Sequence, residues 1–329
     1  MPSTSFCAAL LTSGFAVRTA LAYTQVNVPS PFMNKNIDPI VFPGSYSSSH
    51  LHSFYGSDGV TASTTKSRQI KKDTCTNAEN PNDLSVYWTP TLLYQSGDDW
   101  EPVPVMRFSA YYGLGDEPAE IPIPRNLMML AGNSKATTPD EMVPEAHAEW
   151  FCEGDEDAGS DANGFPSQTC STHMQQLLYF PNCVNTETLE TAYKDGEPGS
   201  YHDCPAGMQA MPQLRFSIRY DLREVVSGGW SGTAPVKLAS GNAYSSHGDF
   251  INGWTKEGNA NLVLAMQSKD SYISVNGDRG NDGDTMDCEA VDAEPDMGTS
   301  DYAESVSMMS KRSVPALGWS SKSRFARKA

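Results

Sequence analysis

The chain is short of positive charge: 23 Lys and Arg stand against 40 Asp and Glu, a formal net charge of -17. Such a surface repels nucleic acid and anionic membranes at long range, which argues against both as partners. A neutral polymer, a cation or a small ligand fits better. Long apolar runs are missing outside the N-terminus, so no internal segment reads as a membrane span and integral membrane association is not expected. No pair of cysteines has the Cys-x-x-Cys spacing of a zinc ribbon or redox motif. A Gly-x-Ser-x-Gly elbow, a Walker loop, a dinucleotide fingerprint and a His-Glu-x-x-His helix are also missing, which removes the common serine-hydrolase, nucleotide and zincin readings. Few windows keep apolar residues at i, i+3, i+4 and i+7, so long helices are not expected.

What the chain does have is turn chemistry. Gly (26) and Pro (22) recur with Ser and Thr every few residues, a texture of many short strands joined by turns. Ile37–Phe42, Val86–Tyr94, Val103–Tyr112 and Met174–Phe180 read as strands, with Pro90 marking a bulge or an edge. Leu127–Leu130 is a short apolar run ended by Gly132, and Leu262–Gln267 fits a short helix or a buried strand. The run Leu214–Leu222 alternates for nine residues, placing Leu214, Phe216, Ile218, Tyr220 and Leu222 on a buried face. The fold class is mainly β, an antiparallel sandwich or jelly-roll-like single domain with long loops.

Residues 1–22 end in Ala20-Leu21-Ala22 and read as a signal peptide, although a positive n-region is missing. Its removal takes Cys7 and leaves Cys75, Cys152, Cys170, Cys183, Cys204 and Cys288. In a secreted chain these form three disulfides, whose connectivity the sequence leaves open. Residues 23–290 form one β-rich domain. Residues 291–329, acidic to Glu304 and basic from Lys311, carry too little apolar area to offset the entropy of ordering and read as a disordered tail. The dibasic pair Lys311-Arg312 offers a processing site.

Two segments carry the chemistry. Ser48-Ser49-His50-Leu51-His52 places two imidazoles on one face of an extended strand. Far downstream, Ser245-Ser246-His247-Gly248-Asp249 repeats the Ser-Ser-His pattern with a carboxylate two residues on.

Together with Asp38-Pro-Ile-Val-Phe-Pro-Gly44, Gly56, Tyr87-Trp-Thr-Pro90, Leu93-Tyr94, Tyr179-Phe-Pro-Asn-Cys183, Cys204-Pro205, Pro212-Gln-Leu-Arg215 and the continuation to Trp254, these segments form an ordered series. It resembles the secreted family catalogued as domain of unknown function nineteen-ninety-six, over most of residues 36 to 290. The resemblance implies export and a single domain often found beside carbohydrate-binding or cell-wall modules, and it brings no established reaction. Where that family's pattern places an Asp-His pair before a second His, this chain has Ser171-Thr172-His173, so only His173 carries over.

If the matched segments converge, His50, His52 and His247 form the ligand set for a divalent transition metal with an open position, and with Asp249 they are the candidate catalytic residues. Without metal the same set can bind and deprotonate a sugar. Tyr87, Trp88, His173, Arg215, Asn252 and Trp254 are the candidate substrate contacts, with core packing the plainer role for the aromatic residues. Gly44 followed by His50-x-His52 imitates a cupin metal motif but lacks its Glu. Asp278–Glu289 imitates an EF-hand loop, yet Gly280 occupies a ligand position, and Glu153–Asp161 reads as a solvated acidic turn. His147 and His202 read as structural or surface residues. The expected protein is secreted and acts on or holds a polysaccharide or cell-wall glycan, as an enzyme, as a non-catalytic matrix protein, or as an extracellular metal binder.

Overall fold

The computed structural model describes residues 23–70, 74–113, 119–194, 204–266 and 272–311. The segment expected to be a signal peptide, His202 and the basic end of the tail lie outside them. In chain order the strands are β1 (Thr24–Val28), β2 (Met33–Lys35), β3 (His52–Gly56), β4 (Val86–Pro90), β5 (Leu92–Ser96), β6 (Asp99–Pro102), β7 (Val105–Tyr112) and β8 (Met128–Gly132). They continue as β9 (Glu149–Cys152), β10 (Met174–Tyr179), β11 (Cys183–Val184), β12 (Thr191–Ala192), β13 (Gln209–Ala210), β14 (Leu214–Tyr220), β15 (Val236–Leu238) and β16 (His247–Ile251). Two helices follow, α1 (Lys256–Met266) and α2 (Tyr302–Ser310).

Two five-stranded antiparallel sheets, β1-β7-β14-β10-β9 and β2-β3-β4-β16-β8, pack face to face, and two three-stranded sheets flank them. The main core lies between the large sheets and is aromatic: Tyr55 stacks on Phe108 at 4.3 Å between ring centroids, and Tyr87 meets Phe216 edge-on at 5.7 Å. In β14 the expected alternation holds, with Leu214, Phe216, Ile218 and Tyr220 buried and Leu222 buried just beyond the strand. Gly248 keeps the sheets close, because a Cβ there would lie 2.7 Å from Leu178 Cδ2 and 2.9 Å from Phe216 Cε2.

The second sheet has a further buried face. Met33, Phe54, Trp88 and Ile251 point away from the main core and pack under Ile37, Val60 and Ile70 from the loops around residues 36–51 and 57–70. This outer face, shielded by loops, holds the histidines.

Three sequence expectations change. Ile37–Phe42 is a turn, because Asp38 Oδ1 accepts hydrogen bonds from the backbone N–H of Ile40 (3.0 Å) and Val41 (2.9 Å) and so closes the chain on itself. Pro90 ends a central strand; pairing of β4 with β16 stops at Trp88↔Asp249, while pairing with β3 continues to His52↔Pro90. Residues 291–311, read as part of a disordered tail, form a strap closed by α2. The buried Lys35 ammonium binds Asp292 (2.7 Å), the Tyr46 hydroxyl donates to Glu294, and Thr299 N–H donates to Asn36 Oδ1 (2.7 Å). Lys237 lies over the rings of both Trp100 (3.9 Å) and Tyr302 (4.4 Å), which seats α2. Composition missed this segment because its anchoring is polar and long-range.

All six described cysteines are paired, as Cys75–Cys288, Cys152–Cys170 and Cys183–Cys204. Cys75–Cys288 spans 213 residues, against 18 and 21 for the others. Chain entropy alone therefore gives the first about 5 kcal/mol of stabilisation and each of the others about 3. Denaturant melts of the Cys75→Ser/Cys288→Ser variant are expected to show a larger loss than those of either other double variant, with the strap the first segment to lose hydrogen-exchange protection.

Candidate metal centre

His52 opens β3 and His247 opens β16, on either side of β4, so their backbones are separated by about two strand spacings, close to 10 Å. Both side chains rise from the outer face beside Pro90, whose compact ring leaves room for the imidazoles to lean toward each other. Their Nε2 atoms stand 3.4 Å apart. His50, two residues before His52, completes the group: its ring centroid is 4.1 Å from that of His52 and 5.0 Å from that of His247. One ring nitrogen from each residue lies within 4.8 Å of the others.

The backbone sets the tautomers. His52 Nδ1 lies 2.9 Å from Ile37 O, and His247 Nδ1 lies 2.8 Å from Ser245 O. A carbonyl oxygen only accepts, so each Nδ1 carries the proton and donates it. Each Nε2 is therefore a bare lone pair. Two acceptors facing at 3.4 Å cannot hydrogen-bond to each other.

Burial reinforces this state. Desolvation first, then the charge His247 would carry, lowers the His50 pKa to about 3. Desolvation lowers that of His247 to about 4, and His52, buried beside both, is held well below the ordinary histidine range. All three imidazoles are held in the neutral form at physiological pH.

Asp249 follows His247 by two residues on the same face and is fully buried. Neither of its carboxyl oxygens has a hydrogen-bond partner among the described residues, and the same holds for Nε1 of Trp88, its neighbour across the ladder. Desolvation, with the nearby Asp38 carboxylate adding to it, pushes the Asp249 pKa well above the usual carboxylate range. Asp249 stands outside the three-nitrogen group.

A cavity of about 470 Å³ reaches His50 and His247 and is also lined by Asp38, Ser49, Lys135 and Met309. His52 lies behind them. Of these lining residues, Asp38 sat in a quoted motif without an assigned role. Lys135 and Met309 gave no sequence signal, since their place depends on how β8 and the strap meet the loop.

The other candidates are placed elsewhere. Tyr87, Trp88 and Trp254 are buried in the two cores, with the Tyr87 hydroxyl bonded to Asp83 and to Tyr112 (2.6 Å). Asn252 is buried and structural, its Nδ2 donating to Ile123 O (3.1 Å) and Pro124 O (3.0 Å). Arg215 lies on the far face of the first sheet with its guanidinium over Tyr111 at 4.2 Å. His173 pairs with Glu153 at 2.5 Å, beside the Cys152–Cys170 bridge.

Fold and site together define a disulfide-stapled β-sandwich protein with a cluster of three histidines, two buried and one half-buried at a cavity. A sequence model described as Domain of unknown function (DUF1996) matches residues 38–254, and the chain belongs to that family. Neither the curated proteins nor the solved structures contain a match to it.

The histidines also fix a pH response. Imidazoles of the unfolded chain take protons near pH 6.5, whereas those of the folded protein do so only near 3 and 4 for His50 and His247. Between these values the unfolded state binds more protons, so each histidine withdraws about 1.4 kcal/mol of stability per unit as pH falls below 6.5. Asp249, with its raised pKa, acts oppositely and costs stability as pH rises above its unfolded value. Imidazole NMR shifts of the metal-free protein are expected to stay at their neutral values down to pH 5 for all three residues; midpoints near 6.5 would contradict the burial argument.

Proposed function

We propose that this is an extracellular metal protein in which His50, His52 and His247 hold a divalent transition metal, with one coordination position facing the cavity. The observation that carries the reading is the 3.4 Å approach of two Nε2 atoms whose Nδ1 protons are both committed to carbonyls. In a tetrahedral site with metal–nitrogen bonds of about 2.0–2.1 Å, two ligand nitrogens stand about 3.3 Å apart. His52 and His247 already have that spacing, and the His50 nitrogen, within 4.8 Å of the others, has to close by no more than about 1.5 Å. An all-imidazole set suits zinc, copper or nickel over magnesium or calcium.

A purely structural polar network is the weaker reading, because it would pair its nitrogens with donors. Three protein ligands and an open position are the pattern of a catalytic centre, where a bound metal acts as a Lewis acid or lowers the pKa of a bound water. Asp249 supplies a carboxyl beneath the site. Export is supported by the three disulfides. A polysaccharide ligand, expected from the company the family keeps, has less support from the site, since the aromatic residues once assigned to sugar stacking are interior.

Elemental analysis and Co²⁺ absorption spectroscopy test the reading. The purified protein is expected to carry about one equivalent of metal, and Co²⁺ to give tetrahedral ligand-field bands. His52→Ala and His247→Ala should each weaken binding more than about 100-fold, beyond what the loss of a hydrogen bond behind a ligand costs. Absence of binding to the refolded, metal-free protein refutes the proposal.

Asp249→Asn gives a separate expectation. Removing a buried carboxyl without partners should raise the melting temperature of the metal-free protein while weakening its metal affinity. A fall in both would assign Asp249 to the fold instead.

A further inference from the structure

One wall of the cavity is apolar, while Ser48, Asn133, Ser134 and Lys135 add polar lining. Val41, Phe42 and Leu130 form the apolar wall while remaining 48%, 40% and 46% exposed, and they are among the most exposed large apolar side chains of the described residues. Met309 of α2 adds a thioether to the same wall. Val41 and Phe42 belong to the turn that Asp38 closes, and Leu130 sits on β8 next to β16. Exposed apolar side chains gathered around a polar floor are the composition of a small-molecule site, and about 470 Å³ lies within the usual range for one.

We propose that the ligand taken into this cavity is a small carboxylic acid with an apolar body. Its carboxylate would fill the open metal position, with the Lys135 ammonium at the rim, and its chain or ring would lie on Val41, Phe42, Leu130 and Met309. The inference rests on the metal reading and deepens it. Two features favour this class over a sugar. A sugar ring stacks on aromatic faces and needs hydrogen-bonding partners around its edge, but only one of the four apolar wall residues is aromatic. An acid needs only one polar anchor, and both the metal and Lys135 attract negative charge. Asp38 also reaches the cavity, but its Oδ1 is occupied by the N–H groups of Ile40 and Val41.

The rival occupant is the chain's own end, since Met309 stands two residues before Lys311 and the sequence continues with Val314, Leu317 and Trp319. That segment carries basic residues and no acid, so the metal and Lys135 oppose it.

The test uses the full chain, first loaded with Zn²⁺ and then titrated calorimetrically with octanoate, with galacturonate as an acid lacking the apolar body. Octanoate is expected to bind at least tenfold more tightly than galacturonate. Phe42→Ala and Leu130→Ser should each weaken octanoate about five- to tenfold, and Zn²⁺ uptake by each variant controls for folding. Zn²⁺ uptake without octanoate binding, or equal binding of the two acids, overturns this inference and leaves the metal centre standing. No Zn²⁺ uptake by the wild-type protein overturns both. If octanoate binds only after residues 312–329 are deleted, the cavity belongs to the chain's own end and the inference fails.

Discussion

His52 and His247 each give the Nδ1 proton to a backbone carbonyl, Ile37 O at 2.9 Å and Ser245 O at 2.8 Å. These two bonds fix the tautomers, and the tautomers fix the character of the centre: buried lone pairs that face one another and cannot satisfy one another. Whatever positions the carbonyls is therefore part of the site. Ile37 O is presented by the turn that Asp38 closes. Ser245 O is presented by the 3-10 turn Ala243–Ser245, capped by the Asn242 side chain accepting from Tyr244 N–H. A Ser-Ser-His sequence recurs at both places because each histidine follows a tight turn, where small hydroxyl side chains can bond locally: Ser49 Oγ lies 3.4 Å from His52 Nδ1, and Ser246 Oγ donates to Ala243 O at 2.6 Å.

The loop that carries His50 and Ile37 O is held from outside the span that the family model matches. That span ends at residue 254, yet Lys35 is neutralised by Asp292, the Tyr46 hydroxyl donates to Glu294, and Asn36 Oδ1 accepts from Thr299 N–H. Cys75–Cys288 delivers the strap to this face. Lys35 is almost fully buried, so its pairing matters more than that of an exposed lysine; the lone ammonium would be left without compensation. The strap also brings Met309 to the cavity wall. His52 and His247 thus sit on the sheet and His50 on the loop before β3, while Met309, from outside the matched span, completes the cavity wall.

How much of this could be read from the sequence follows from the range of each interaction. Period-two alternation is local, so β14 and its buried face were legible from Leu214 to Leu222. The convergence of His50, His52 and His247 was legible only because a repeated Ser-Ser-His pattern lay inside an ordered motif series. Periodicity says nothing about strands 195 residues apart becoming next-but-one neighbours. The turn at Ile37–Phe42 was mistaken for a strand because its apolar residues resemble one, although Asp38-Pro39 already carried the turn signal. Trp88 and Trp254 could not be told from a binding platform because the same rings serve both uses, and burial alone separates them. The Cys75–Cys288 pairing and the strap were out of reach, since both depend on contacts between distant parts of the chain.

Asp249 is the residue that a stability argument alone would not place here. A hydrophobic side chain at the same position would pack beside Trp88 without desolvating a carboxyl, yet the chain keeps a fully buried acid that finds no donor among the described residues. Three neutral imidazoles lie on the same face, so no resident positive charge offsets it. The acid and the imidazoles are thus each unfavourable on their own: the carboxyl finds no donor among the described residues, and two of the imidazoles face each other as acceptors. A single bound cation would relieve both at once, through direct bonds to the imidazoles and through its field at the carboxyl. Packing stability alone would favour losing one of the two groups, yet the chain keeps both on one face of the sheet, between a turn and a strand end, which is the combination the metal proposal accounts for.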